Sequence, residues 1–232
     1  MMALQLPLPV RLSDDASFAN FHLCEANRSA VARIEHFVMG GSGSLYLHGP
    51  PGSGRTHLLQ AACHALEANG VVIVYLPLAA LRDAPPGELL AGLEAYALVC
   101  LDDADAVAGL PGWEETLFHL HNRCVETGCR LLIAATLPPA QAGFRLADLR
   151  SRLQGGEFVA LALPDDEACI DALRLRARNR GLVLDPEVAR FVWSRSQRSM
   201  GALIAVLDRL DAASLGAGRR LSIPFVKDVM GW

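Results

Sequence analysis

The sequence predicts an α/β fold: a parallel sheet with helices on both faces, followed by a small all-helical domain. Over the first two thirds of the chain, short apolar runs alternate with stretches of helical periodicity, which is typical of such a sheet. After Pro164 the strand-like runs stop and only helical stretches follow. We therefore predict an extended tail over residues 1–15, a base domain over 16–164 and a helical domain over 165–232.

Five runs are predicted strands because each is short, apolar and bounded by turn-forming residues. They cover residues 45–47, 71–76, 97–101, 131–135 and 158–163. Six stretches have helical spacing of apolar residues. They cover residues 57–68, 113–127, 166–180, 186–195, 199–213 and 224–230. Asn69-Gly70 and Gly128 are expected to end the first two helices, and Asp185 is a candidate N-cap before Pro186.

Composition and charge exclude several classes of protein. Of the 232 residues 52% are hydrophobic and 20% are charged, so the chain has the means to form a core. The net charge of −4 argues against non-specific DNA binding. No apolar run approaches the roughly 18 residues that cross a bilayer, and residues 1–15 lack the features of a signal peptide. We expect a cytoplasmic protein without membrane contact.

A glycine-rich loop at residues 49–56, GPPGSGRT, follows a predicted strand and opens a predicted helix. Its spacing is that of the phosphate-binding loop GxxxxGK[ST], in which backbone N–H groups surround phosphate oxygens. An ordinary turn before a helix is the alternative, which the strand–loop–helix context disfavours. Thr56 is placed to bind Mg²⁺ through its hydroxyl. The candidate nucleotide contacts here are Gly49, Pro50, Pro51, Gly52, Ser53, Gly54, Arg55, Thr56 and His57.

Arg55 stands where the loop motif has Lys. It keeps the positive charge but presents a broad planar fork in place of a compact ammonium group. We expect binding of a nucleoside diphosphate to survive and fast hydrolysis at a γ-phosphate to suffer.

Two acidic residues end the predicted strand at 97–101. Asp102 is expected to hold Mg²⁺, by its carboxylate or through water. Asp103 stands where ATPases with this kind of phosphate-binding loop commonly have a Glu that polarises the attacking water. Because Asp is one methylene shorter, a nucleophile displaced by about 1 Å would cost on the order of a hundredfold in rate. Two acids that merely cap a strand end are the alternative.

With the loop, the acidic strand end and the helical C-terminal part in place, the chain resembles AAA+ proteins, and more closely the DnaA-related family. The segment Phe18-Ala19-Asn20-Phe21, followed by Asn27, precedes the loop as it does in that family. The resemblance covers nearly the whole chain and implies an AAA+ base, a helical lid, and Phe21 and Asn27 near the adenine of ADP or ATP. The chain ends at Trp232, where DnaA proteins continue into a DNA-binding domain, so direct DNA binding is not expected.

The resemblance also implies a partner for the tail. Residues 5–9, QLPLP, resemble the element with which related proteins dock on the DNA polymerase sliding clamp. Leu6 and Leu8 would fill an apolar pocket, Gln5 would hydrogen-bond at its rim, and Pro9 would complete the element. A tail without a partner is the alternative.

Three further positions acquire roles only through the resemblance. Arg152 falls on the arginine-finger position, with Arg150 two residues earlier as the fallback; a finger stabilises charge on a neighbour's γ-phosphate. Arg198 matches a lid arginine that contacts phosphates bound by its own chain. Thr136 matches a polar residue that orients water, although Leu137 replaces a charged residue common in the family. For both arginines the alternative is a helix side chain in solvent.

The function that the resemblance implies is regulatory. The protein would dock on the sliding clamp and stimulate hydrolysis of DnaA-bound ATP through Arg152, and so inhibit re-initiation of DNA replication. It would contact DNA only through the clamp, hydrolyse ATP weakly by itself, and possess AAA+ faces suited to a homo-oligomer. The alternatives are a self-sufficient AAA+ ATPase such as a helicase loader, a nucleotide kinase and a direct DNA binder.

Overall fold

The computed structural model describes residues 12, 16–214 and 220–232. The chain forms two compact units. The first comprises the described residues up to Phe18 together with Ala30–Pro50 and Gly54–Leu161. The second comprises Ala19–Ser29, Pro51–Ser53 and Ala162–Trp232. The helical domain predicted from the sequence falls in the second unit.

The first unit is built on a five-stranded sheet in the order β2-β3-β4-β1-β5, and all its strand pairs are parallel. The strands are β1 (Ser44–His48), β2 (Ile73–Pro77), β3 (Leu98–Asp102), β4 (Arg130–Ala135) and β5 (Glu157–Ala160). All five residues of β3 are buried, as expected of a parallel strand covered on both faces. The predicted parallel sheet is confirmed.

The last strand is shorter than the sequence predicted. Within the described part of the chain, β5 lies at the edge of the sheet and pairs with β1 alone, which ends at His48 opposite Ala160. Beyond Ala160 a single further hydrogen bond joins Leu161 N to His48 O, at 2.7 Å. The extension of the prediction to residue 163 was wrong because the partner strand ends first.

Six helices belong wholly or partly to the first unit. They are α1 (Glu25–Gly40), α2 (Arg55–Glu67), α3 (Leu78–Leu81), α4 (Pro86–Leu89), α5 (Pro111–Thr127) and α6 (Ala147–Gln154). α5 begins at a proline and ends at Gly128, whose φ of 78° is readily adopted by glycine. α1 was not predicted, and its buried face includes Val31, Ile34 and Val38.

Besides the start of α1, the described residues of the second unit form four helices and one short strand pair. They are α7 (Asp166–Asn179), β6 (Val183–Leu184), α8 (Pro186–Arg195), α9 (Met200–Ser214), β7 (Arg220–Leu221) and α10 (Ile223–Met230). The Asp165 side chain caps α7 by accepting a hydrogen bond from Ala168 N at 2.8 Å, and Asp185 is the N-cap residue of α8. The helical character of this part is confirmed, and the parallel pair β6–β7 adds to it. Among the described helices, none has the length and apolar character needed to cross a bilayer.

Candidate functional site

The loop that joins β1 to α2 bends at two glycines. Gly52 and Gly54 have φ values of 89° and 96°, in the left-handed region that strains other residues. Between them Ser53 is only 4% exposed, and its Oγ has no hydrogen-bond partner among the described residues. A buried hydroxyl without a partner costs free energy, so this one requires an explanation.

Arg55 begins α2 and is buried, and both arms of its guanidinium are engaged. Nη1 donates to Thr136 Oγ1 at 3.1 Å, at the end of β4. Nη2 donates to Asp103 Oδ1 at 3.4 Å, just beyond β3. The structure thus brings together three residues that the sequence singled out separately. A lysine has one compact ammonium group and does not present two arms in a fixed fork.

Asp102 is 2% exposed, and its carboxylate accepts two hydrogen bonds. Tyr75 Oη donates to Oδ2 at 2.8 Å, and Asp103 N donates to Oδ1 at 3.0 Å. Burial raises the pKa of the Tyr75 hydroxyl well above its usual range, and the charge of Asp102 raises it further. Tyr75 was not singled out in the sequence. Its contact with Asp102 depends on the register of the two strands. Tyr75 pairs with Cys100, which places Asp102 diagonally opposite on the same face of the sheet.

Asp103 has a φ of 50°, the one positive value among the described non-glycine residues. Such a conformation is uncommon, and it turns the chain sharply away from the sheet. Burial raises the pKa of its carboxyl group, the neighbouring charge of Asp102 adds to this, and the Arg55 guanidinium opposes it. Asp105, in the same turn, accepts a hydrogen bond from Thr136 N at 3.1 Å. Thr136, the residue after β4, therefore contacts Asp105 directly and is linked to Asp103 through Arg55.

The residues predicted to bind Mg²⁺ have suitable chemistry. Thr56 offers an exposed hydroxyl in the first turn of α2, and Asp102 offers a carboxylate held by two donors. Mg²⁺ takes oxygen ligands, and carboxylates that bind metals are themselves oriented by hydrogen bonds. The donor set fits, and the metal role of both residues stays a prediction.

Arg152 lies in the last turn of α6 and is exposed. It lines a groove of about 670 Å³ together with residues 42–44, at the beginning of β1, and His121 of α5. His121 is buried, and its Nε2 lies 3.3 Å from Ser44 Oγ. Burial lowers the pKa of the His121 imidazole, and the charge of Arg152 lowers it further.

Arg150 differs from Arg152 although both belong to α6. Its side chain is half-buried, and Nη1 donates to Phe144 O at 3.4 Å. Of the two candidate fingers, Arg152 is the one presented to solvent.

The groove of Arg152 and the pair Arg55–Asp103, both in the first unit, lie at opposite edges of the sheet. β1 begins at Ser44, in the groove of Arg152, and ends at His48, directly before the glycine-rich loop. A strand of five residues spans about 13 Å at roughly 3.3 Å per residue. Arg152 therefore lies at the amino edge of the strands, whereas Arg55 and Asp103 lie at the carboxyl edge.

The remaining candidate residues make local contacts. Asn27 is buried, accepts from Cys24 N at 2.9 Å and donates to His22 O at 3.0 Å, so it caps the start of α1.

His57 Nε2 lies 2.8 Å from Ser17 O, and Phe21 is half-buried. The exposed Arg198 lies 3.9 Å from the carboxylate of Asp166. Gln5, Leu6, Leu8 and Pro9 fall outside the described residues.

One further buried residue escaped the sequence analysis. Glu114 of α5 is 2% exposed, and its carboxylate accepts hydrogen bonds from three backbone N–H groups. The donors are Gly109 at 2.6 Å, Arg145 at 3.0 Å and Leu146 at 2.5 Å. Leu146 is the N-cap residue of α6, so Glu114 fixes the start of the helix that carries Arg152. A Glu on an amphipathic helix is ordinarily exposed, and nothing in the sequence marks this one.

The sheet order, the glycine-rich loop and the helical second unit define a P-loop protein of the AAA+ class. A family model described as the bacterial DnaA ATPase domain matches residues 12–160, and one described as the Hda lid domain matches residues 165–230. The chain belongs to the bacterial DnaA ATPase-domain family, and its lid is of the Hda type.

Solved structures agree on the fold. Domain III of the replication initiation protein DnaA from Thermotoga maritima matches with a TM-score of 0.79 at 22% identity, over 96% of this chain and 98% of that one. AMPPCP-bound DnaA from Aquifex aeolicus matches with a TM-score of 0.72 at 21% identity, over 88% and 67%. The Thermotoga maritima RuvB branch migration motor matches with a TM-score of 0.66 at 19% identity, over 93% and 71%. At these identities the likeness establishes the fold alone.

Proposed function

We propose that this protein is a nucleotide-binding regulator of the Hda type, which stimulates hydrolysis of ATP held by DnaA and so inhibits re-initiation of replication. The observation that carries the proposal is the placement of Arg152. It is exposed at the amino edge of the sheet, while the chain's own phosphate-loop candidate lies at the carboxyl edge.

The separation of the two edges supports action in trans. An arginine finger must reach the γ-phosphate, where its guanidinium stabilises charge in the transition state. Because β1 separates the groove of Arg152 from the loop, Arg152 is poorly placed to serve nucleotide bound by the same chain. It is well placed to enter the site of a neighbouring molecule, and DnaA is the neighbour that the family membership suggests.

The chain's own loop is proposed to bind ADP or ATP through residues 49–57. The buried Ser53 hydroxyl, which lacks a partner among the described residues, supports this because a phosphate oxygen would satisfy it. Phe21, Asn27 and Arg198 are further candidate contacts with the nucleotide. Mg²⁺ would be held by Thr56 and Asp102, where it would balance phosphate charge.

Weak turnover by the chain itself is part of the proposal. Arg55 holds both Asp103, the candidate base, and Thr136, the candidate that orients water. The ion pair with Arg55 competes with a water molecule for the Asp103 carboxylate and opposes the rise in its pKa that burial causes. The alternative, a self-sufficient ATPase such as a helicase loader, needs Asp103 to act on water.

The sliding clamp is the proposed second partner. Gln5, Leu6, Leu8 and Pro9 would dock on it as an extended peptide, so that the regulator reaches DNA only through the clamp, in the cytoplasm.

The test is to load DnaA with labelled ATP and measure its hydrolysis in the presence of DNA-loaded clamp. The set comprises the intact protein, Arg152→Ala, Arg150→Ala and a variant lacking residues 1–9. We expect stimulation by the intact protein and by Arg150→Ala, and none by Arg152→Ala or the truncated variant. Turnover of ATP by the protein alone, without stimulation of DnaA, would favour the self-sufficient ATPase instead.

A further inference from the structure

The carboxylate of Asp102 is held by donors from two directions. Tyr75 reaches it from the neighbouring strand β2, and Asp103 N reaches it from the turn that follows. The terminal torsion of an aspartate is broad, so the plane of its carboxylate is set mainly by its hydrogen bonds. With Asp102 only 2% exposed, water is poorly placed to replace the Tyr75 hydroxyl.

The Tyr75 hydroxyl is well suited to this task. It lies 2.8 Å from Asp102 Oδ2 and donates to it within the buried part of the sheet. Tyr75 is buried, at 8% exposure, and it belongs to the edge strand β2, whose pairing with β3 sets its position opposite Cys100. The packing of the residue and the strand register therefore place the hydroxyl beside the carboxylate.

We propose that Tyr75 is a positioning residue, which orients the Asp102 carboxylate toward the Mg²⁺ that accompanies bound nucleotide. The proposal rests on the proposed nucleotide site. Outer-shell partners of this kind orient ligating groups, and their loss typically costs about 10- to 100-fold in metal affinity.

Tyr46 provides a matched control within the same sheet. It is also buried, it lies on β1, and its hydroxyl donates to a neutral acceptor, Leu137 O, at 3.0 Å. Removing either hydroxyl deletes the hydrogen bond to its acceptor, and at Tyr75 also the one with Gln60; of the two tyrosines, Tyr75 is the one that touches a candidate metal ligand.

The experiment measures the dissociation constant of fluorescently labelled ADP in Mg²⁺ and in EDTA. The proteins are the intact chain, Tyr75→Phe, Tyr46→Phe and Asp102→Asn. The quantity of interest is the gain in affinity that Mg²⁺ confers. We expect Tyr75→Phe to reduce that gain about 10- to 100-fold, up to its complete loss, while its affinity in EDTA stays that of the intact chain. Asp102→Asn should abolish the gain, and Tyr46→Phe should keep it.

Three results for Tyr75→Phe would overturn the proposal. An unchanged gain in Tyr75→Phe would mean that the hydroxyl does not act on the metal. A larger gain would mean that Tyr75 competes with the metal for Asp102. Equal weakening in Mg²⁺ and in EDTA would mean a general structural role. Binding by the intact chain without any gain from Mg²⁺ would remove the metal role of Asp102, whereas no binding in either buffer would contradict the proposed function itself.

Discussion

The arginines at the two edges of the central sheet differ in their burial and in their partners. At the carboxyl edge, Arg55 is buried and joined to Asp103 and Thr136 by its two guanidinium arms. At the amino edge, Arg152 is exposed in an open groove, and Glu114 accepts a hydrogen bond from the N-cap residue of its helix, α6. The comparison teaches that one sheet can restrain an arginine and an acidic residue at one edge and present another arginine, the proposed finger, to solvent at the opposite edge.

After substitution of Arg152 itself, Glu114→Gln is expected to have the largest effect on the stimulation of DnaA. Glu114→Gln would place an amide group against backbone N–H donors, which leaves buried donors unsatisfied at a cost of about 2 kcal/mol in the free energy of unfolding. Because the start of α6 would shift, and a displacement of about 1 Å costs on the order of a hundredfold, we expect stimulation of DnaA to fall about 100-fold. Chemical denaturation and the DnaA hydrolysis assay provide the two readings.

The control is Glu115→Gln, one residue along the same helix and exposed. It should change the free energy of unfolding by less than about 0.5 kcal/mol and leave stimulation intact. Equal effects of the two substitutions would contradict the role given to Glu114.

Arg55→Lys tests whether Arg55 restrains Asp103 at the carboxyl edge. A lysine has one ammonium group and should not hold Asp103 and Thr136 together, so Asp103 gains freedom to act on water. Since a positioned base contributes about 10²- to 10⁴-fold, partial release should raise the protein's own ATP turnover by about tenfold. Phosphate release under single-turnover conditions measures it. The gain should vanish in Arg55→Lys/Asp103→Asn, and turnover that falls in Arg55→Lys would show that Arg55 assists catalysis.

Acidification should destabilise the amino edge, with a smaller effect. The pKa of His121 is lowered in the folded protein, so the unfolded chain binds its proton more readily. Stability is therefore fully present above the unfolded pKa of about 6.5 and falls as the pH drops through it. His48, whose pKa is also lowered by burial, contributes in the same direction.

Urea unfolding at pH 7 and pH 5 checks this prediction. His121→Gln should lose less stability between the two pH values than the intact chain does. His119→Gln, an exposed neighbour on α5, should lose as much as the intact chain. An unchanged pH dependence in His121→Gln would contradict the assignment.

The sequence predicted the parts of this architecture that depend on local patterns. Short apolar runs revealed the strands, the glycine spacing revealed the loop, and Gly128 marked the end of α5 because its φ of 78° suits glycine. The end of β5 was missed because it depends on where β1 ends, which no local pattern contains.

The contacts inside the candidate site depend on pairing across the chain. Arg55 contacts Asp103 and Thr136 because the ends of β1, β3 and β4 lie side by side. The Tyr75–Asp102 hydrogen bond depends on the register of β2 against β3. α1 was missed because several polar residues precede the apolar part of its buried face, which begins at Ala30.

The separation of the two edges is tested most directly by following both nucleotides in one reaction. DnaA carries γ-labelled ATP, the protein described here carries fluorescent ADP, and the intact chain is compared with Arg152→Ala. We expect the rate constant of hydrolysis on DnaA to fall by about a thousandfold, the lower range for loss of an arginine finger, while the affinity for ADP stays constant. A loss of ADP affinity in Arg152→Ala, with hydrolysis on DnaA unaffected, would contradict the account, because Arg152 would then serve the site of its own chain.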